Sequence, residues 1–151
     1  MSCGFGCGDK KFQATAKLGI YGPPVYLDLS DAKRMVDLYR STHPAICAKG
    51  TGYWAQAGRL LSRLAGGEPI QWGPMLLKDK RVYGPGGTML IYDTLQYHVP
   101  DDAERQNRQQ GKGDGDWRFQ TRNGWTELYH TKFVENVIQW LARIVMMQAM
   151  L

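Results

Sequence analysis

The sequence predicts an α+β fold: mostly helical, with short antiparallel strands between a helical N-terminal half and a long C-terminal helix. Three observations carry that expectation. Apolar residues recur at three- and four-residue spacing before Glu68 and again after Tyr129, the pattern of an amphipathic helix. Between those positions they come in short runs punctuated by Gly, Pro and Asn-Gly, the pattern of strands and tight turns. The order of helices, then strands, then one helix lacks the alternation that builds a parallel α/β sheet. A chain of 151 residues, 43% hydrophobic with five Trp and eight Tyr, is long and apolar enough to form a real core.

Taken in order, "DKKFQATAKL" (9–18) reads as a short helix with Asp9 as its cap, Phe12 and Ala16 inward, and Gly19 just past its end. Pro23-Pro24 forces an extended connection. Ser30 is the expected cap of "DAKRMVDLYRST", whose Met35, Val36, Leu38 and Tyr39 recur at helical spacing until His43-Pro44 stops it. A third helix is expected from Pro44 to Ala65. Its stripe is Ile46, Tyr53, Trp54, Ala57, Leu60, Leu61 and Leu64, it is weakened early by Gly50 and Gly52, and Gly66-Gly67 ends it. "PIQWGPMLLKD" and "GTMLIYDTLQYH" read as strands around "YGPGG", and "WRFQT" and "WTELY" as a hairpin about Arg122-Asn123-Gly124. The stretch from 101 to 116 has almost no apolar residue and is expected to be a solvated loop. Phe133, Val134, Val137, Ile138, Leu141, Ile144, Val145 and Met146 mark a long, largely buried last helix that runs on without a cap. Residues 1–67 form the helical segment and 68–151 the strand-and-helix segment, expected as one compact unit.

Nineteen basic against fourteen acidic residues give a net charge of +5, compatible with a polyanionic partner and equally with a solvated basic face. Cys3, Cys7 and Cys47 make neither an even disulfide set nor a C-x-x-C pair, which points to free thiols in a reducing, cytoplasmic compartment. No apolar run approaches the ~20 residues of a membrane span, and no export signal opens the sequence.

The opening "CGFGCG" lacks the preceding strand and the spacing of a phosphate loop. Cys3, Cys7, Cys47 and His43 lack the tight spacing of a structural zinc site, so a packed glycine-rich turn is the better reading. His43, His98 and His130 have no nucleophile elbow beside them and read as capping or packing residues. Asp101, Asp102, Asp114 and Asp116 read as solvated loop charges. The last helix differs. Lys132, Glu135, Asn136, Gln139 and Arg143 recur at i, i+3, i+4, i+7 and i+11, a polar row beside the apolar one. Asn and Gln among large apolar neighbours suggest hydrogen bonding to something specific, while the spacing by itself suits a solvated face equally well.

"TKFVENVIQWLARIVMMQAM", preceded by "RNGWTELYH", closely resembles a segment of phage family A DNA polymerases written like "GGKLVENVVQALARDVLAEAM". Three further stretches resemble the same family in the same order. "CGFGCGDKKFQATAKLG" is similar to the end of the fingers O helix and its exit, "SDAKRMVDLYRSTHPAI" to the helix patterned "EA...V..YR..NP.I", and "AGGEPIQWGPMLL" to the following turn and strand. Only 101–116 lacks a counterpart.

The resemblance implies a fingers-plus-partial-palm piece of a DNA-directed DNA polymerase, acting in the cytoplasm of a phage's bacterial host. Phe5 matches the aromatic near the templating base and Gly6 the small residue beside it. Lys132 matches the "GGK" lysine, with His130-Thr131 in place of the glycine pair, and Glu135, Asn136 and Gln139 lie on the helix whose polar face tracks the minor groove of the primer-template end. The two Mg²⁺ ions of the family are held by an aspartate before the fingers and a His-Asp-Glu hairpin beyond the last helix, and neither segment occurs in this sequence. No catalytic residue and no metal ligand is therefore expected in this chain. The expected partners are primer-template DNA and either a complementary polymerase piece or a second copy of the chain. A non-catalytic module that kept the polymerase surface is the alternative.

Overall fold

The computed structural model describes residues 6–20, 22–101, 104 and 115–150. Phe5, Cys3, Asp102, Asp114 and nearly all of the polar stretch lie outside the described residues. The fold is α+β, as the sequence predicts. Helices α1 (Asp9–Leu18), α2 (Leu29–Thr42), α3 (Pro44–Cys47) and α4 (Tyr53–Gly66) precede seven short strands, and α5 (His130–Ala149) follows them. The chain falls into two compact units, Met1–Ala57 and Gly58–Leu151. Among the described residues no helix is long and apolar enough to cross a membrane.

In the first unit, α1 begins from Gly8 rather than from Asp9, which sits inside the first turn and accepts from the Lys10 amide at 2.8 Å. Its end is as expected, with Gly19 left-handed at φ 65°. Asp28, not Ser30, caps α2. Asp28 Oδ1 accepts from the Asp31 amide at 2.7 Å and from Ser30 Oγ at 2.8 Å, and a full negative charge suits a helix N-terminus better than a hydroxyl. These bonds, the Asp31 amide first, hold the Asp28 carboxyl below its ordinary pKa. α2 buries Ala32 and Val36, while Met35 and Leu38 face outward.

The expected third helix is two helices. The chain breaks between Cys47 and Tyr53, where Gly50 takes φ 82°. A Cβ on Gly52 would lie 2.6 Å from the Ala48 amide nitrogen and 2.7 Å from the Ile46 and Ala48 carbonyl oxygens. The two glycines therefore break the helix instead of merely weakening a continuous one.

In the second unit the strands form two antiparallel sheets. β1 (Ile70–Trp72), β2 (Met75–Lys78), β3 (Arg81–Tyr83) and β4 (Met89–Ile91) make the first in sequence order. β5 (Gln96–His98), β6 (Asp116–Thr121) and β7 (Gly124–Glu127) make the second. "GTMLIYDTLQYH" thus does not stay one strand. It turns at Tyr92–Leu95, closed by the Leu95 amide on the Tyr92 carbonyl at 2.7 Å, and both residues point into the core. The alternation of β2 is clear, with Met75 and Leu77 buried and Leu76 and Lys78 outside. Beneath the sheets lie Leu60, Leu61 and Leu64 of α4 and Phe133, Val134, Val137, Trp140 and Ile144 of α5. Phe133 is sandwiched by Trp72, stacked at 5.8 Å, and Tyr92, edge-on at 5.9 Å.

The last helix is as long as expected but buried on fewer residues. Ile138, Val145 and Met146 are exposed, and Trp140 takes the core position the apolar stripe assigned to its neighbours. After Ile144 no described residue of the helix is buried.

Candidate nucleic-acid interface

Helix α5 sets the geometry of the polar row. Because its buried positions are Thr131, Phe133, Val134, Val137, Trp140 and Ile144, residues 132, 135, 136, 139 and 143 are turned to the flank of the core contact. The structure brings Lys132, Glu135, Asn136 and Gln139 together on that flank. Lys132 Nζ donates to Glu135 Oε2 at 3.2 Å, and Gln139 Nε2 donates to Glu135 Oε1 at 3.2 Å. The side chains of Lys132 and Glu135 keep 37% and 25% of their exposure, so the pair is neither buried nor fully solvated.

Asn136 is held from the other side. Its Nδ2 donates to the hydroxyl of Tyr92 at 3.1 Å. Tyr92 is itself fixed edge-on against Phe119 of β6 at 5.1 Å, and its amide bonds the Lys80 carbonyl at 2.9 Å. Burial raises the Tyr92 pKa above its ordinary value, partly offset by the bond from Asn136, so the phenol stays neutral and available as an acceptor. Beside this anchor is an open pocket of about 240 Å³, with Leu90, Ile91, Phe119 and Trp140 as apolar wall and Asn136, Gln139 and Arg143 as polar rim. Trp140 is pinned in that wall by a close approach to Gly84, where an added Cβ would overlap the indole ring.

Gly6 takes φ 79° in a turn before α1, and Phe5 lies outside the described residues. Gly6 belongs to the first compact unit and the α5 row to the second.

A second depression, of about 380 Å³, gathers His98 with Asp116, which the sequence pattern assigns to a solvated loop and which instead opens β6. Its lining includes His98, Glu104, Asp116, Arg118 and Glu127. His98 Nε2 meets Glu104 Oε2 at 2.7 Å, and the Arg118 guanidinium stacks 4.8 Å over the Trp125 ring. Three carboxylates against one guanidinium and one imidazole make this a poor seat for a polyanion. Across the β6–β7 hairpin, Arg118 pairs with Glu127 in register, a cross-strand relation that sequence spacing shows only once the turn is placed.

Among the described residues no three of His, Cys, Asp and Glu converge in a way that could hold a metal ion. Compared with protein-family models, curated proteins and solved structures, the chain has no match in any of the three.

Proposed function

We propose that the chain is the fingers-to-palm piece of a phage-type DNA-directed DNA polymerase, and that its part in template-directed nucleotidyl transfer is to position primer-template DNA. The observation that carries this reading is the polar row of α5. In the stretch most like the polymerase segment, cationic and amide side chains are held in fixed orientation by Glu135 and Tyr92 on an accessible helix flank. Minor-groove acceptors are present on every base pair, so such donors engage DNA without reading its sequence. By that resemblance the Mg²⁺-binding carboxylates would come from motifs this sequence does not contain, and no step of transfer is assigned to its residues.

The exposed Val145, Met146, Met147 and Met150 favour a protein partner as well. That partner is a complementary polymerase piece or a second copy of the chain. A non-catalytic module bound to another replication protein would use the same end of the helix.

The test is a binding titration of the 151-residue chain with a fluorescent primer-template, alongside a primer-extension assay. Binding should be weak, indifferent to sequence and steeply weakened by salt, with no nucleotide incorporated. Absence of binding at low salt would remove the DNA reading, and template-dependent incorporation by the chain alone would refute the positioning-only role.

A further inference from the structure

The carboxylate of Glu135 is an unusual group to find in the middle of a row offered to a polyanion. One oxygen is occupied by Lys132 and the other by Gln139, both at 3.2 Å, so a single side chain engages the cation and one of the amides that flank it. Asn136, the other amide of the row, is held elsewhere, by Tyr92. Resting on the DNA reading above, we propose that Glu135 is an attenuator of this surface: it masks Lys132 and Gln139 in the free protein and competes with DNA for them.

The chemistry follows from charge and valence. A lysine paired with a carboxylate releases fewer counterions on meeting a phosphate than a lysine facing solvent, because part of its charge is already neutralised. The Gln139 N–H directed at Glu135 is unavailable to a base-edge acceptor until that bond breaks. The carboxylate also adds like-charge repulsion as a phosphate approaches. All three effects have the same sign. A surface built this way holds DNA weakly and lets go of it readily, which suits a helix that must release each base pair as the duplex advances.

The experiment compares the wild-type chain, Glu135→Gln, Lys132→Ala and the double variant in primer-template titrations over a range of salt concentrations. Glu135→Gln is isosteric and keeps a hydrogen-bonding end, and Glu135→Ala serves as a second route to the same loss of charge. Urea unfolding of each variant checks the fold. Glu135→Gln should bind about three- to five-fold more tightly at low salt, the scale of one partly exposed ion pair. Its log–log salt slope should steepen by about 0.9, the value for one further phosphate neutralised. Lys132→Ala should weaken binding modestly and flatten the slope slightly in the wild-type background, and by more in the Glu135→Gln background, where it should erase the tighter binding. A purely structural Glu135 would leave the slope unmoved and show no such coupling. Unchanged or weaker binding by folded Glu135→Gln, with wild type binding measurably, overturns the attenuator while sparing the DNA reading. No binding by any of the variants overturns both.

Discussion

Asn136 takes its orientation from a residue forty-four positions away, and that dependence can be tested at Tyr92. Tyr92→Phe keeps the ring packing on Phe119 and Phe133 and removes only the acceptor, so it should cost about 1 kcal/mol in urea unfolding. His130 gives a pH test at the start of the same helix. Partial burial pushes its imidazole below the ordinary histidine value of 6.5, so between the two pKa values the unfolded chain binds more protons than the folded one. This contribution to stability should therefore be complete above pH 6.5 and be lost as pH falls from there through the lowered folded value, and His130→Gln should flatten that part of the curve. At this scale the sequence shows the polar row plainly, because its members lie within one helix at fixed spacing. It does not show Tyr92, whose partner is set by the turn at Tyr92–Leu95. Nor does it choose Asp28 over Ser30, since both are capping residues and one hydrogen bond decides between them.

The turn between β2 and β3 is made by Asp79 and Lys80, at φ 49° and 59°. Both are left-handed, a conformation in which glycine is unstrained and lysine is not. Lys80→Gly should stabilise the chain by about 0.5–1 kcal/mol, read as a higher urea midpoint at unchanged slope. Such a turn is hard to read from sequence because Asp79 suits a left-handed position but Lys80 stands where glycine is usual. The β6–β7 turn is the contrast, announced by Asn123-Gly124. Even there the positive φ falls on Gly124 alone, at 105°, with Thr121 and Gly124 as the closing pair. The break between α3 and α4 shows why glycine counts mislead: helix propensity treats Gly50 and Gly52 as weak positions, whereas φ and close backbone approach make them a corner. Gly52→Ala should destabilise by about 1–3 kcal/mol, because the backbone around Ala48 has nowhere to move.

For the molecule as a whole, the decisive asymmetry lies along α5. Its earlier turns are rooted in the core by Phe133, Val134, Val137 and Trp140, and beyond Ile144 it carries exposed Val145, Met146, Met147 and Met150, with Ile138 (47% exposed) on the outward side. Without a partner the chain should associate in sedimentation at high concentration, and Ile138→Asp should weaken that association without unfolding the helix; a compact monomer throughout would exclude self-association through this face. The fold class and this helix are legible in the sequence because a 20-residue amphipathic pattern is strong. Which apolar residues stay outside is not, because that depends on how far the sheets reach. Trp140 carries one last consequence. An indole pinned by Gly84 in the wall of the Asn136–Gln139–Arg143 pocket is an intrinsic optical probe. Its emission, isolated by subtracting Trp140→Phe from the five-tryptophan spectrum, should shift when a ligand dehydrates that pocket, so that occupancy of the helix flank can be followed without attaching a dye.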